Sequence, residues 1–202
     1  MNTTRSFAAL AAALALFGGM AHAQRAEGPV RHDSVADVRG TKLQLNGAGT
    51  RYKAVFQVYA AALYLPRRSA SADEVLAMPG SKRIAITMLR DIDSGELGKL
   101  FSRGMEDNMD RAAFSRLIPG VLRMSQLFSD IKKLQAGDVI SIDWVPGTGA
   151  VVTVKGVQQG EPFREPEFFQ ALLRIWLGPQ PADWRLKEAL LGRPVTQASA
   201  GS

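Results

Sequence analysis

The stretch AVFQVYAAALYL, residues 54 to 65, carries no charge and is interrupted only by Gln57 before Pro66 stops it. A run this long, rich in Val, Phe, Tyr and Ala, predicts a central strand buried on both faces. In a strand, residues of equal parity share a face. Arg51, Val55, Gln57, Tyr59, Ala61 and Leu63 therefore look one way, and Tyr52, Ala54, Phe56, Val58, Ala60 and Tyr64 the other.

Working outward, Thr41 to Leu45 alternates weakly and runs into Asn46-Gly47-Ala48-Gly49, which reads as a tight turn. On the other side, Ser71 to Met78 is a short helix with Ser71 as N-cap and Glu74 at the capping-box position. Lys82 to Leu89 is a second strand. A helix opens at Ser94, with Leu97, Leu100, Phe101, Met105 and Met109 on one face. The next helix carries Pro119 just inside its start, followed by Val121, Leu122, Met124, Leu127, Phe128 and Ile131. Strands return at Asp138 to Val145 and Ala150 to Val154 around Pro146-Gly147-Thr148-Gly149, and a third is expected within Val157 to Phe163. Helices at Pro166 to Leu177 and Pro181 to Leu191 close the chain, each stopped by a Gly. Strands, helices, strands, helices is the order of an α+β fold: an antiparallel sheet with helices on one face.

Among 202 residues, 46% hydrophobic and 22% charged, disorder and collagen-like repetition are excluded. The absence of Cys removes thiolate nucleophiles, zinc-thiolate sites and disulfides together. Met1 to Arg5 brings one positive charge, Phe7 to Phe17 is unbroken apolar sequence, and Ala21-His22-Ala23 fits a small-x-small cleavage site. This predicts an export leader, residues 1–23, too short to anchor in a bilayer, and a periplasmic or secreted protein cleaved near Ala23. Residues 24–40 are then a flexible lead-in with a possible first strand, 41–192 one domain, and 193–202 a disordered tail. Cleavage leaves His32 as the only histidine, which argues against a Ser-His-Asp triad or a metal site, and no cofactor is expected. The basic excess is spread in pairs such as Arg67-Arg68 and Lys132-Lys133, unlike a nucleic-acid surface.

Arg51 and Tyr59 on one apolar strand face have the chemistry to hold a carboxylate, since guanidinium offers a fork of donors and the phenol adds one more. Ala60-Ala61-Ala62, Gly98 and Gly104 are small where a core normally uses bulk, which leaves room for a cavity. A plainer reading stands beside it: Arg51 in water at a strand end, Tyr59 a core aromatic, and the small residues permitting close helix–sheet packing. Glu96, Glu106, Asp107 and Asp110 read as a solvated helix face, the tryptophans Trp144, Trp176 and Trp184 as packing residues, and Met88, Met105, Met109 and Met124 as core filler.

The block from Leu45 to Arg51, followed by Val58 to Leu65, resembles the chalcone isomerase superfamily, whose members carry a Gly-x-Gly-x-Arg element before an apolar strand. Phe168 to Gly178 with Leu186 to Gly192 is similar to its bacterial, exported chalcone-isomerase-like branch. The resemblance spans roughly Thr41 to Gly192 and implies an open-faced sandwich, a large antiparallel sheet under a layer of helices with a ligand cleft between. It implies that Arg51 meets an anionic oxygen of the ligand. The enzymes of the superfamily have a Thr where this chain has Tyr59, whereas fatty-acid-binding members have a Tyr that pairs with the Arg around a carboxylate. The enzymes also use a Tyr, a Lys and an Asn on the helix after the third strand, near which this chain has Leu97, Leu100 or Phe101, and Gly104; Lys99 and Asn108 sit out of register.

The resemblance thus implies a non-catalytic binder of a fatty acid or other apolar carboxylate, with Arg51, Tyr59, Gln57, Ala61, Leu97, Leu100, Phe101 and Gly104 as ligand-binding residues. A tail of about 12 methylenes at roughly 0.8 kcal/mol each supplies about 10 kcal/mol, against about 1.5–3 for a charged hydrogen bond to the guanidinium. Two rivals are an intramolecular lyase acting on a chalcone-like phenolic or enone substrate, with Arg51 steadying oxyanion charge, and a ligand-free structural protein of the envelope.

Overall fold

The computed structural model describes residues 30–195. The expected leader, 1–23, and residues 196–202 of the expected tail lie outside the described residues. Seven strands form one antiparallel sheet, in the spatial order β1 (Val35–Val38), β2 (Thr41–Lys53), β3 (Phe56–Leu65), β4 (Lys82–Met88), β7 (Val139–Val145), β8 (Gly149–Val154) and β9 (Val157–Gln158). Two short strands, β5 (Ile92–Asp93) and β6 (Lys133–Leu134), pair separately. The helices are α1 (Ala72–Ala77), α2 (Ser94–Glu106), α3 (Arg111–Ile131), α4 (Pro166–Leu177) and α5 (Trp184–Leu190). The sheet curls into a half-barrel, and Arg39 beside β1 donates to Gln158 of β9 at 3.2 Å, joining its two edges. This is the α+β open-faced sandwich expected, and no helix of the described residues is long and apolar enough to cross a membrane.

β3 is the spine of the core, buried from Val58 to Leu65. Tyr59, Ala61, Leu63 and Leu65 join Ile84, Ile86 and Met88 of β4 beneath the helices, while Ala62 and Tyr64 meet Val38 and Leu43 inside the curl. α4 matches its expected limits; its eight buried side chains include Phe168, Phe169 and Trp176. At roughly 1.5–3 kcal/mol for each large apolar side chain, this helix contributes much of what holds the layers together.

The expected turn at Asn46 to Gly49 is not there; these residues lie inside β2. Asn46 is a bulge, because Leu45 pairs with Tyr64 and Gly47 with Leu63. One extra residue reverses parity, so Leu45 faces the inside of the curl while Gly47 and Gly49 face α5. Both glycines have ordinary backbone angles and serve close approach instead: a Cβ on Gly47 would overlap the carbonyl oxygen of Ala189, and one on Gly49 would stand 2.7 Å from the Ala189 Cβ. The turn lies further on, at the two residues Ala54-Val55, with Ala54 at φ +52°.

Three further boundaries differ. α3 begins at Arg111, eight residues before Pro119, because the Asp110 carboxylate caps it by accepting from Ala113 N at 2.8 Å. Pro119 sits in its interior, where it cannot donate to the carbonyl of Ser115 and its ring crowds that carbonyl. α5 begins at Trp184 rather than Pro181, capped by Asp183, whose carboxylate accepts from Arg185 N and Leu186 N. That start leaves Trp184 half exposed rather than in the core. The third strand after β8 is only Val157–Gln158, and Phe163 returns to form an isolated bridge with Ala150.

Candidate functional site

Arg51 and Tyr59 are opposite one another in the β2–β3 register, under α2 and α4. The guanidinium carbon lies 5.5 Å from the centre of the Tyr59 ring. Tyr59 is 1% exposed, and its hydroxyl oxygen accepts from Trp176 Nε1 at 2.9 Å. With that lone pair taken, the phenol presents its own proton. Arg51 Nε is buried and has no hydrogen-bond partner among the described residues, which is costly for a buried donor unless a ligand answers it. Both residues line one space, and the buried Arg51 Nε has no acceptor among the described residues.

That space is a cavity of about 140 Å³, lined by Arg51, Tyr59, Leu97, Leu100, Phe101, Gly104 and Ile175, with Arg103, Asp107, Gln180, Pro181 and Ala182 also on its wall. Phe101 meets Trp176 edge-on at 5.4 Å and Phe128 at the same distance, a rigid aromatic wall. Burial holds the Tyr59 phenol above its ordinary pKa; the Arg51 charge and the Trp176 donor oppose this, and Asp183 adds to it. The group is thus a neutral donor at physiological pH, suited to bind an anion and unsuited to serve as a phenolate base.

Of the expected ligand-binding residues, Arg51, Tyr59, Leu97, Leu100, Phe101 and Gly104 meet at this cavity, and two do not. Gln57 is exposed and donates to the Tyr52 hydroxyl at 3.0 Å. A second bulge, at Val58, breaks the parity that linked it to Tyr59, since Arg51 pairs with Tyr59 but Tyr52 with Gln57. Ala61 faces the right way but is wholly buried in the core, away from the cavity wall. Gly98 does not open space either, because a Cβ there would lie 3.1 Å from Phe128 of α3; of Ala60, Ala61, Ala62, Gly98 and Gly104, Gly104 alone lines the cavity.

Other residues proved structural. Asn108 is buried and holds the chain between α4 and α5, donating to Gln180 O and accepting from Gln180 N. Lys99 is exposed and paired with Glu96. Asp110 is a cap, and Met88, Met105 and Met124 fill the core. Trp176, expected as a packing residue, also supports the site through its bond to Tyr59. Its place in the apolar stripe of α4 is legible; its polar bond to a strand residue is not. Pro181 and Ala182 were assigned to α5, yet Asp183, a residue of the type that caps helices, marks them as a loop.

The described chain has the same fold as the crystal structure of a fatty-acid binding protein of Arabidopsis thaliana, with a TM-score of 0.61 and 16% identity over 78% of this chain and 95% of that one. By sequence, no curated protein matches. A family model described as chalcone isomerase-like matches residues 24–192. With that match running through β2, the cavity wall and both closing helices, the chain belongs to the chalcone isomerase-like family.

Proposed function

We propose that this protein is a non-catalytic binder of an apolar carboxylate, held with its acid group between Arg51 and Tyr59. The observation that carries the reading is that Arg51 and Tyr59 line one cavity while the buried Arg51 Nε has no acceptor among the described residues. A charge-assisted bond from guanidinium and a second from phenol suit a carboxylate. The name of the plant neighbour, a fatty-acid binding protein, is in keeping with such a ligand. The single carboxylate among the described residues of the wall, Asp107, is exposed beside Arg103, so it offers no buried base for cyclisation chemistry.

The size of the cavity revises the energetic expectation. About 140 Å³ is close to the roughly 150 Å³ that accommodates a benzene ring in an engineered apolar cavity. It encloses about six carbons, hence about 5 kcal/mol of apolar burial, and a longer tail continues out past the rim. Recognition of the acid group is then a comparable share of the affinity. We place the protein in the periplasm or outside the cell, on the strength of the leader pattern in residues 1–23. Native mass spectrometry of the protein purified from the cell that makes it tests the reading: a bound small acid, lost on mild acidification, is expected. Uniformly ligand-free protein that also ignores added acids contradicts it.

A further inference from the structure

The end of the molecule beside the cavity carries an exposed apolar cluster that the carboxylate site does not use. Val55 is 83% exposed and Phe56 60%, both at the β2–β3 turn, with Tyr52 at 42% and Trp184 at 50%. They come from two chain segments, the hairpin end and the start of α5, with the loop after β4 beside them. Tyr52 N donates to the Asp183 carboxylate at 3.0 Å, which sets the start of α5 against the hairpin. The Arg90 guanidinium, from the loop after β4, lies 5.4 Å from the Phe56 ring centre, as Arg185 does from Trp184.

Cations outnumber free carboxylates around this cluster: Asp183 keeps its negative charge, whereas Asp91 and Asp138 are each paired with a lysine. Lys53, Arg90 and Arg185 make no ion pair among the described residues. The carboxylates close by are already engaged: Asp183 with three backbone N–H groups, Asp91 with Lys133 and Ala136 N, and Asp138 with Lys155 and Gln135 N. An aliphatic tip with Tyr and Trp at its margin and an excess of cations behind it matches the two layers of a bilayer surface. Aromatic rings settle at headgroup level, and Lys and Arg are drawn to anionic lipid.

We propose that this end docks on an anionic lipid bilayer, with Val55 and Phe56 entering the headgroup region and Lys53, Arg90 and Arg185 meeting lipid phosphates. The patch adjoins the cavity in sequence as well as space, since Arg51 precedes Tyr52 and Pro181-Ala182 precede Asp183-Trp184. Docking stands on exposure and charge alone and does not depend on the carboxylate reading.

Cosedimentation with vesicles tests it, using protein exported by the cell and N-termini matched by mass spectrometry between wild type and variants. Binding to vesicles of equal parts phosphatidylglycerol and phosphatidylcholine is expected, weakened by added salt and far weaker on phosphatidylcholine alone. A Trp184 emission shift to the blue should accompany it. Each of Lys53→Gln, Arg90→Gln and Arg185→Gln should lower binding about fivefold, and all three together about a hundredfold. Val55→Ser, at the exposed tip, should weaken it with the melting temperature unchanged. Three results overturn the proposal: no binding to either vesicle, equal binding to both, or a concentration-dependent dimer that Phe56→Ser abolishes, which would assign the patch to a second copy of the chain.

Discussion

The indole N–H of Trp176 donates to the Tyr59 hydroxyl at 2.9 Å, tying α4 to β3 and leaving the phenol proton free to donate elsewhere. Trp176→Phe keeps an aromatic ring but removes that donor and some volume. We expect about 2 kcal/mol less stability in denaturant melts. We also expect weaker binding of acids, because a Tyr59 hydroxyl without a donor is no longer held toward the ligand.

Gly47 and Gly49 test whether β2 needs glycine for space or for turning. Gly49→Ala meets the Ala189 side chain at 2.7 Å, and we expect a loss of about 1–3 kcal/mol. Gly47→Ala runs into the backbone of α5 and should cost more, with thermal melting as the measurement. Ala189→Gly should restore part of the loss in Gly49→Ala, but none in Gly47→Ala, where the obstacle is a carbonyl oxygen. A glycine required only for a turn would show no rescue in either.

The bulge residue Asn46 is buried and makes three bonds: its amide donates to Ser69 O and Leu190 O, and its carbonyl accepts from Ser69 N. Asn46→Ala strands those backbone groups, and we expect a loss of about 3 kcal/mol. Hydrogen exchange should show it as faster exchange at the end of α5 and in the loop before α1.

Alkali should act through two tyrosines. Burial holds both Tyr59 and Tyr64 above the ordinary tyrosine value of 10.0, with Asp33 adding to the shift at Tyr64. The unfolded chain then releases these protons at lower pH than the folded one. Their contribution to stability is whole below about pH 10 and declines as pH rises beyond it. Absorbance titration should show late ionising phenols, one of which disappears in Tyr59→Phe.

How much of this was legible follows from what each signal measures. The apolar run of β3 and the stripe of α4 were readable because burial on so many positions leaves no other arrangement of the chain. Arg51 and Tyr59 share a face because of the bulge and not because of their even spacing: a regular hairpin about the turn Ala54-Val55 sets Arg51 opposite Val58, and the extra residue puts Tyr59 there instead. Gln57 was misplaced by that same bulge, and Gly47 and Gly49 by a helix 140 residues later whose approach no local rule reports. Trp176 was missed as a polar partner for the same reason: its bond spans 117 positions.

In the proposed site Arg51 reads negative charge. Affinities of a short apolar acid, such as 4-phenylbutanoate, and of its matching alcohol, measured calorimetrically for wild type and Arg51→Met, address it most directly. We expect the acid to weaken by about ten- to a hundredfold in Arg51→Met, the size of one charged hydrogen bond, and the alcohol to change little. An equal loss for acid and alcohol, or no loss for either, would contradict it.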